Sequence, residues 1–322
     1  MLRQSGRAVP LLEGHPVSET PARRLLAVKP ITVPTAGHPV ERGVDLQVKV
    51  TAPVDGQDLP VIVFSHGNAW SMDGYEPLVD RWAAAGFVVV QPTHLDSRRH
   101  RIGFDDPRFP TVWRVRIADL HAVLDHLGAV LDHVPGLPAR VDAARVAVVG
   151  HSWGGQTAGA LLGARVLDAD GTPGEDFTHP AVRAGALIAT TGTGDSLTPF
   201  AREHLPFMRP DYSTLTTPTL VVAGGEDRSA MSTRGPDWFT DAYTLSPAPQ
   251  RLLTITDGEH TLGGLAGEAV AETSDEDPAR VALVADAVAA HLLDVLDGDA
   301  TAWRELQDRA AAGSGAFSVE SK

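Results

Sequence analysis

The sequence contains no cysteine, and this absence excludes several kinds of site at once. Disulfide bonds, zinc sites with thiolate ligands and thiol nucleophiles all require a cysteine side chain. The absence does not identify a cellular compartment, because cysteine-free proteins are compatible with reducing and oxidising surroundings alike.

The chain is also poor in positive charge. Its 27 Lys and Arg residues against 41 Asp and Glu residues give a net charge of −14. A protein of this charge repels a phosphate backbone, whereas nucleic-acid binding depends on cationic side chains that neutralise it. We therefore expect no nucleic-acid partner.

Long apolar runs are missing as well. No stretch approaches the roughly 18 apolar residues of a membrane span, and the apolar stretch 8–12 is too short for the core of a signal peptide. These observations predict a soluble protein without a membrane span that is not exported. We expect it in the cytoplasm.

The length of 322 residues suits one large α/β domain as well as two small ones. Residues 1–24 show no sustained period, which predicts a loose N-terminal arm, and residues 311–322 look like a flexible C-terminal tail. Between them we predict a single domain over residues 25–310.

Hydrophobic periodicity predicts the elements of this domain. Alternating apolar residues from Val44 to Val50 predict a strand of an opening β-hairpin. Continuous apolar runs then predict strands that are buried on both faces. These runs lie at residues 61–64, 87–90, 146–149, 186–189, 220–223 and 252–255.

Helical patterns separate the strands. Apolar residues recur every three or four positions from Ile117 to Leu131 and predict a helix docked on the sheet. The charged residues of this segment can lie elsewhere on the helix: Arg114, Arg116, Asp119 and Asp125. We predict further helices at residues 76–85, 156–167 and 278–296. This alternation predicts an α/β fold, with a mostly parallel central sheet and helices on both faces, whose ligand site lies at the carboxyl ends of the strands.

One motif between a predicted strand and a predicted helix carries chemistry. Gly150, Ser152 and Gly154 form a G-x-S-x-G pattern, which holds a serine on a sharp turn with its hydroxyl above the sheet edge. Gly155 lets the helix pack closely against the strand. We predict Ser152 to be a nucleophile.

A serine nucleophile needs a base, and the base needs a carboxylate that orients it. His260 is the candidate base, because it lies in a polar loop directly after a predicted strand late in the chain. Asp227 follows another predicted strand and is the candidate acid. The alternative acids are Glu226, Asp257 and Asp195, whereas His66 and His151 are expected in scaffold roles.

The oxyanion of an acyl-transfer reaction needs two hydrogen-bond donors. We predict that they are the backbone N–H groups of Asn68 and of Trp153, the residue after the nucleophile. Gly67 permits a close approach of the loop that carries Asn68.

Four segments in this order resemble the α/β-hydrolase superfamily over residues 44–296: FSHGNAW (64–70), GHSWGG (150–155), GGEDRS (224–229) and DGEHTLGG (257–264). The resemblance implies the α/β-hydrolase fold and a nucleophile, acid and base in the order Ser152, Asp227, His260. The chain most resembles the branch of chlorophyllases, platelet-activating-factor acetylhydrolases and dienelactone-hydrolase-like esterases. It departs from dienelactone hydrolases proper, which use a cysteine, and from haloalkane dehalogenases and epoxide hydrolases, which use an aspartate at the turn.

These residues predict a serine hydrolase that cleaves a small-molecule carboxylic ester through an acyl-enzyme and needs no cofactor. The alternatives are an acyltransferase, a thioesterase, a lactone-handling enzyme or a binding protein of the same fold. His94, Asp96 and His100 could ligate a metal, but their spacing matches no strong motif, so we predict no metal site. The oligomeric state is left open.

The segment after the second core strand is rich in arginine for a chain of net charge −14. A solvated loop is the simpler interpretation. If the segment faces the pocket instead, its cations would favour a substrate with a carboxylate or phosphate. The arginines in question are Arg98, Arg99, Arg101 and Arg108.

Overall fold

The computed structural model describes residues 23–38, 41–267, 273–313 and 315–322. The arm predicted over residues 1–24 lies outside the described residues, except for Arg23 and Arg24, which directly precede the first strand.

Within the described residues the strands are β1 (Leu25–Val33), β2 (Leu46–Pro53), β3 (Leu59–Ser65), β4 (Val88–Pro92), β5 (Val141–His151), β6 (Arg165–Val166), β7 (Val182–Ile188), β8 (Pro210–Asp211), β9 (Thr219–Gly224), β10 (Gln250–Ile255) and β11 (Phe317–Ser321). The α-helices are α1 (Glu76–Ala84), α2 (Val112–Asp125), α3 (Leu127–Asp132), α4 (Trp153–Leu162), α5 (Pro199–His204), α6 (Asp241–Thr244), α7 (Pro278–Asp297) and α8 (Thr301–Ala311).

Nine of the described strands form one sheet in the order β1-β2-β4-β3-β5-β7-β9-β10-β11. The strands from β4 to β10 in this order pair in parallel. β1 and β2 pair antiparallel, which confirms the predicted hairpin, and antiparallel pairing also joins β2 to β4 and β11 to β10. The mostly parallel sheet is therefore confirmed, and the six predicted core strands are β3, β4, β5, β7, β9 and β10.

Successive residues of the central strands enter two different cores. In β3, Val61 and Val63 belong to a cluster with apolar residues of α2, α3 and α4. Ile62 and Phe64 point to the opposite face and pack with residues of α1 and α7. Strands buried on both faces must be apolar at every position, which explains their unbroken apolar runs.

Two helices end differently from the prediction. α4 stops at Gly163, which has φ +115°, and a Cβ there would lie 2.5 Å from the Thr214 carbonyl oxygen. A left-handed glycine at this point terminates the helix, so residues 165–166 form β6 instead. The predicted helix over 117–131 is interrupted at His126, which separates α2 from α3.

The prediction of a flexible tail over residues 311–322 is wrong. Phe317–Ser321 forms β11, which pairs with all but the first residue of β10 at the edge of the sheet. Ala311 is the last residue of α8, a helix that the sequence did not reveal because only Trp303 and Leu306 of its residues are buried. None of the helices in the described part of the chain combines the length and apolar character that a membrane crossing requires.

Candidate active site

The sequence-predicted site residues lie at the carboxyl edge of the sheet. Asn68 follows β3, Ser152 follows β5, Asp227 follows β9 and His260 follows β10. Parallel strands end at the same edge, so loops that are distant in sequence meet there. The structure brings Asn68, Trp153, Ser152 and His260 to one cavity of about 390 Å³.

Ser152 occupies a strained turn between β5 and α4. Its backbone has φ +56° and ψ −123°, a conformation that residues other than glycine rarely adopt. A Cβ on Gly150 would lie 2.0 Å from the Gly154 carbonyl oxygen, and a Cβ on Gly154 would lie 2.1 Å from the Ser65 carbonyl oxygen. Because neither contact is sterically possible, the turn requires glycine at both positions.

Three of the candidate residues form a continuous hydrogen-bond chain. The Ser152 Oγ lies 2.8 Å from the His260 Nε2, and the His260 Nδ1 lies 2.9 Å from the Asp227 Oδ2. The Asp227 side chain is fully buried, whereas His260 is 30% exposed. Since a carboxylate only accepts, Nδ1 carries the proton and Nε2 accepts the hydrogen bond of the serine hydroxyl.

The alternative acids lie in other surroundings. Asp195 is exposed and accepts a hydrogen bond from the Thr193 hydroxyl at 2.5 Å. Glu226 is exposed and lies 4.0 Å from the Arg228 guanidinium, and Asp257 is exposed. Of these four carboxylates, that of Asp227 accepts the hydrogen bond from the His260 Nδ1.

A second hydrogen-bond chain joins the loop after β3 to the loop of His260. The Gly67 N–H donates to the Tyr75 Oη at 3.0 Å, and the Tyr75 Oη lies 2.9 Å from the His151 Nδ1. The His151 Nε2 donates to the His260 carbonyl oxygen at 2.9 Å, which fixes the ring tautomer, so the tyrosine hydroxyl donates to Nδ1. Burial, with His260 nearby, lowers the pKa of His151 to about 3, so its ring is neutral.

Sequence reasoning noted the scaffold role of His151 but missed Tyr75. The signal available was weak, because Tyr75 lies eight residues from Gly67 in a segment without periodicity. A Cβ on Gly67 would lie 2.9 Å from the Tyr75 Oη and 3.3 Å from the His151 Nδ1. Glycine at position 67 therefore lets the Tyr75 hydroxyl and the His151 ring pack against the backbone of this loop.

The prediction that the charged residues of α2 lie away from the core is wrong for Arg116 and Asp119, which are fully buried. The Arg116 guanidinium contacts the Asp96 carboxylate at 2.6 and 2.7 Å and the Thr157 hydroxyl at 3.0 Å. It also donates to the His66 carbonyl oxygen. Arg116 thereby connects α4 to the loops after β3 and β4.

Asp96 completes this connection. Its Oδ2 accepts a hydrogen bond from the Ala69 N–H at 3.2 Å, next to the predicted oxyanion donor Asn68. Burial would raise the pKa of Asp96, but the Arg116 guanidinium and neighbouring histidines hold it below its usual value. The carboxylate is therefore ionised and restrains the loop that carries Asn68.

The structure does not bring the three potential metal ligands to one point. The His94 Nδ1 donates to the Asp119 Oδ2 at 2.9 Å, and its Nε2 accepts from the Ser65 hydroxyl at 3.0 Å. Burial and Arg116 lower the pKa of His94 to about 4. Across the described ranges, no cluster of three or more metal-ligating side chains occurs.

The arginine-rich segment is mostly engaged elsewhere. Arg99 pairs with Asp73, Arg108 pairs with Asp106 at 2.8 Å, and Arg101 is exposed. Arg98 alone of the four lines the cavity, and its guanidinium carbon lies 5.6 Å from the centroid of the Trp70 ring. The hypothesis of an anionic substrate therefore depends on Arg98.

Comparison with known proteins agrees with this architecture. Residues 62–320 match the model of the Alpha/beta hydrolase family, and this range contains all five of the predicted site residues. The predicted fold class is confirmed. No curated protein matches the chain significantly.

Proposed function

The chain belongs to the alpha/beta hydrolase family, which indicates a hydrolase, and we propose that it cleaves carboxylic esters through an acyl-enzyme formed on Ser152. The observation that carries the proposal is the hydrogen-bond chain from the Ser152 Oγ through His260 to the buried Asp227. Such a chain removes the proton that makes a serine hydroxyl a poor nucleophile.

In the proposed reaction the Ser152 Oγ attacks the ester carbonyl while the His260 Nε2 takes the hydroxyl proton. The Asp227 carboxylate keeps the other ring nitrogen protonated and stabilises the imidazolium that forms. His260 then returns the proton to the leaving alcohol, and a water molecule releases the acyl group by the same route.

Negative charge develops on the carbonyl oxygen during both steps. We assign its stabilisation to the backbone N–H groups of Asn68 and Trp153. Two observations support this assignment: both residues line the cavity of Ser152, and the ion pair of Asp96 with Arg116 restrains the adjacent loop.

We also propose a relation to the branch of chlorophyllases, platelet-activating-factor acetylhydrolases and dienelactone-hydrolase-like esterases. Its support is the SHG segment at the end of β3, followed by the GHSWGG turn after β5.

The proposal is tested by covalent labelling and turnover together. A fluorophosphonate should label the native protein on Ser152, as mapped by mass spectrometry, and Ser152→Ala should abolish both labelling and ester turnover. Ser213→Ala is the matched control, because Ser213 is exposed and does not line the cavity. Labelling of another residue would overturn the assignment.

A substrate panel separates the alternatives. Purified protein is assayed against esters, a thioester and a lactone, each with water alone and with an added alcohol acceptor. Faster turnover of the thioester or lactone, or transfer to the alcohol, would replace ester hydrolysis with one of the related reactions. Failure to turn over any of them would favour a binding protein.

A further inference from the structure

The cavity above Ser152 reaches the surface beside two phenyl rings. Phe104, between β4 and α2, is 53% exposed, and Phe200, in α5, is 45% exposed. Their ring centroids lie 5.7 Å apart with the ring planes at 89°, an edge-to-face contact. The two segments thus meet through apolar side chains that both line the cavity.

The exposure of these rings is unusual within the molecule. Among the described residues, the exposed large hydrophobic side chains are Val44, Val54, Phe104, Phe200 and Leu245. Both aromatic members of this set lie at the Ser152 cavity and contact each other. Covering them with an apolar group would remove apolar surface from water, which favours binding.

The deeper wall of the cavity is also apolar. Its lining includes Met208, Met231 and Phe239, and methionine side chains adapt readily to apolar groups of different shape. The carboxylate in the lining, Asp96, is already paired with Arg116. A charged substituent against Met208, Met231 and Phe239 would lose its water without gaining a partner from these side chains. The cation of the lining, Arg98, has its guanidinium carbon 5.6 Å from the centroid of the Trp70 ring.

We propose that the substrates are esters that carry an apolar chain or ring of several carbons, seated along this wall and against the exposed faces of Phe104 and Phe200. The inference rests on the proposed ester hydrolysis at Ser152 and adds the class of ester. It predicts discrimination against short esters, because these leave both phenyl rings exposed to water.

The test compares kcat/KM for p-nitrophenyl esters from acetate to octanoate. For the native protein the value should rise with acyl length, by up to about fourfold for each fully buried methylene. In the double variant F104A/F200A the ratio of octanoate to acetate turnover should fall at least tenfold. Leu245→Ala is the matched control, because Leu245 is 49% exposed but does not line the cavity, and its ratio should equal that of the native protein.

Two results would overturn the inference. One is a native kcat/KM that does not increase with acyl length. The other is a double variant that lowers acetate and octanoate turnover by the same factor, since the rings would then support the fold or the reacting groups without recognising the chain.

A binding measurement separates this inference from the proposed reaction. Calorimetry with 1-alkanols from propanol to octanol measures apolar recognition without turnover. If no ester reacts but affinity rises with chain length and falls in F104A/F200A, ester hydrolysis is wrong and the apolar class of ligand stands. Affinity that is independent of chain length would overturn the inference itself.

Discussion

Arg116 and Asp96 form an ion pair whose side chains are 0% and 1% exposed, directly beneath the loop that carries Asn68. Two charges so deeply buried depend on each other, because either one alone would remain in the interior without a counter-charge. The Arg116 guanidinium carbon also lies 5.1 Å from the centroid of the Trp153 ring, so the pair touches both loops of the predicted oxyanion site.

We predict that Asp96→Ala lowers the free energy of unfolding by about 3–5 kcal/mol, because it leaves the Arg116 charge buried and unpaired. The double variant D96A/R116M should lose less than the sum of the two single variants, as measured by urea unfolding. Arg114→Met is the control on the same helix, since the partly exposed pair of Arg114 with Glu175 should contribute at most about 1 kcal/mol. Additive losses in the double variant would contradict the coupling.

Neutral buried histidines make the fold sensitive to acid. Burial is the main cause that lowers the pKa of His94 to about 4, and of His151 and His291 to about 3. A histidine of the unfolded chain titrates near about 6.5, so the unfolded state binds more protons between that pH and the folded pKa. The stability that these neutral histidines contribute is therefore fully present above about pH 6.5 and is lost as the pH falls.

As the pH falls from the pKa of the unfolded chain to the lower pKa of the folded protein, each such histidine should lower the free energy of unfolding by about 1.4 kcal/mol per pH unit. Urea unfolding between pH 7 and pH 5 measures how the free energy of unfolding changes with pH. His291→Gln should reduce this slope by the contribution of one histidine, about 1.4 kcal/mol per pH unit. His133→Gln, at an exposed position, should leave the slope unchanged. A native slope of zero over this range would show that these histidines are not neutral in the folded state.

The Tyr75 hydroxyl joins the Gly67 N–H to the His151 ring, so we predict that Tyr75→Phe affects catalysis without a direct role in the chemistry. The variant leaves a buried donor and a buried acceptor without this partner, which should cost about 1–3 kcal/mol of stability. The shift of the two loops should lower kcat for an ester by roughly tenfold to a hundredfold.

A comparison of kcat with KM tests this positioning role. Tyr243→Phe is the control, because Tyr243 lies outside the cavity lining, and its kcat should equal that of the native protein. A Tyr75→Phe variant that loses stability but keeps the native kcat would limit Tyr75 to a structural role.

The sequence predicted the sheet well because burial on both faces leaves a continuous apolar run. It predicted neither β11 nor α8, since β11 is a short edge strand with mostly polar residues and α8 buries only two side chains. An edge strand takes its stability from the neighbour that it pairs with, here β10, and that neighbour is distant in sequence.

The candidate site also contains some residues that the sequence reveals and others that it does not. Ser152, Asp227 and His260 follow apolar strands, so local pattern and chain order name them as candidates, although three other carboxylates stay open as alternatives to Asp227. Arg116 belongs to the polar pattern of an amphipathic helix, and its burial depends on Asp96, which lies in another loop. Such long-range compensation leaves no local signal, which is why sequence reasoning placed Arg116 away from the core.

Asp227 is the acid that we expect to orient His260, and Asp227→Asn tests this role. The substitution preserves the shape of the side chain but adds an N–H donor, so His260 can accept at Nδ1 and carry its proton on Nε2. A ring in that tautomer cannot take the proton of Ser152. We expect kcat for an ester to fall by up to about 10⁴-fold, and fluorophosphonate labelling of Ser152 to slow in parallel.

The other acidic residues near these loops serve as controls. Asp195→Asn, Glu226→Gln and Asp257→Asn should leave kcat close to the native value, because these three side chains are exposed and the carboxylate that accepts from the His260 Nδ1 is that of Asp227. Thermal unfolding of each variant separates a loss of fold from a loss of proton transfer. If Asp195→Asn proves as damaging as expected for Asp227→Asn, and Asp227→Asn is nearly neutral, the acid lies after β7 and not after β9. Ser152 and His260 would keep their roles under that outcome, because their own hydrogen bond does not depend on which carboxylate orients the ring.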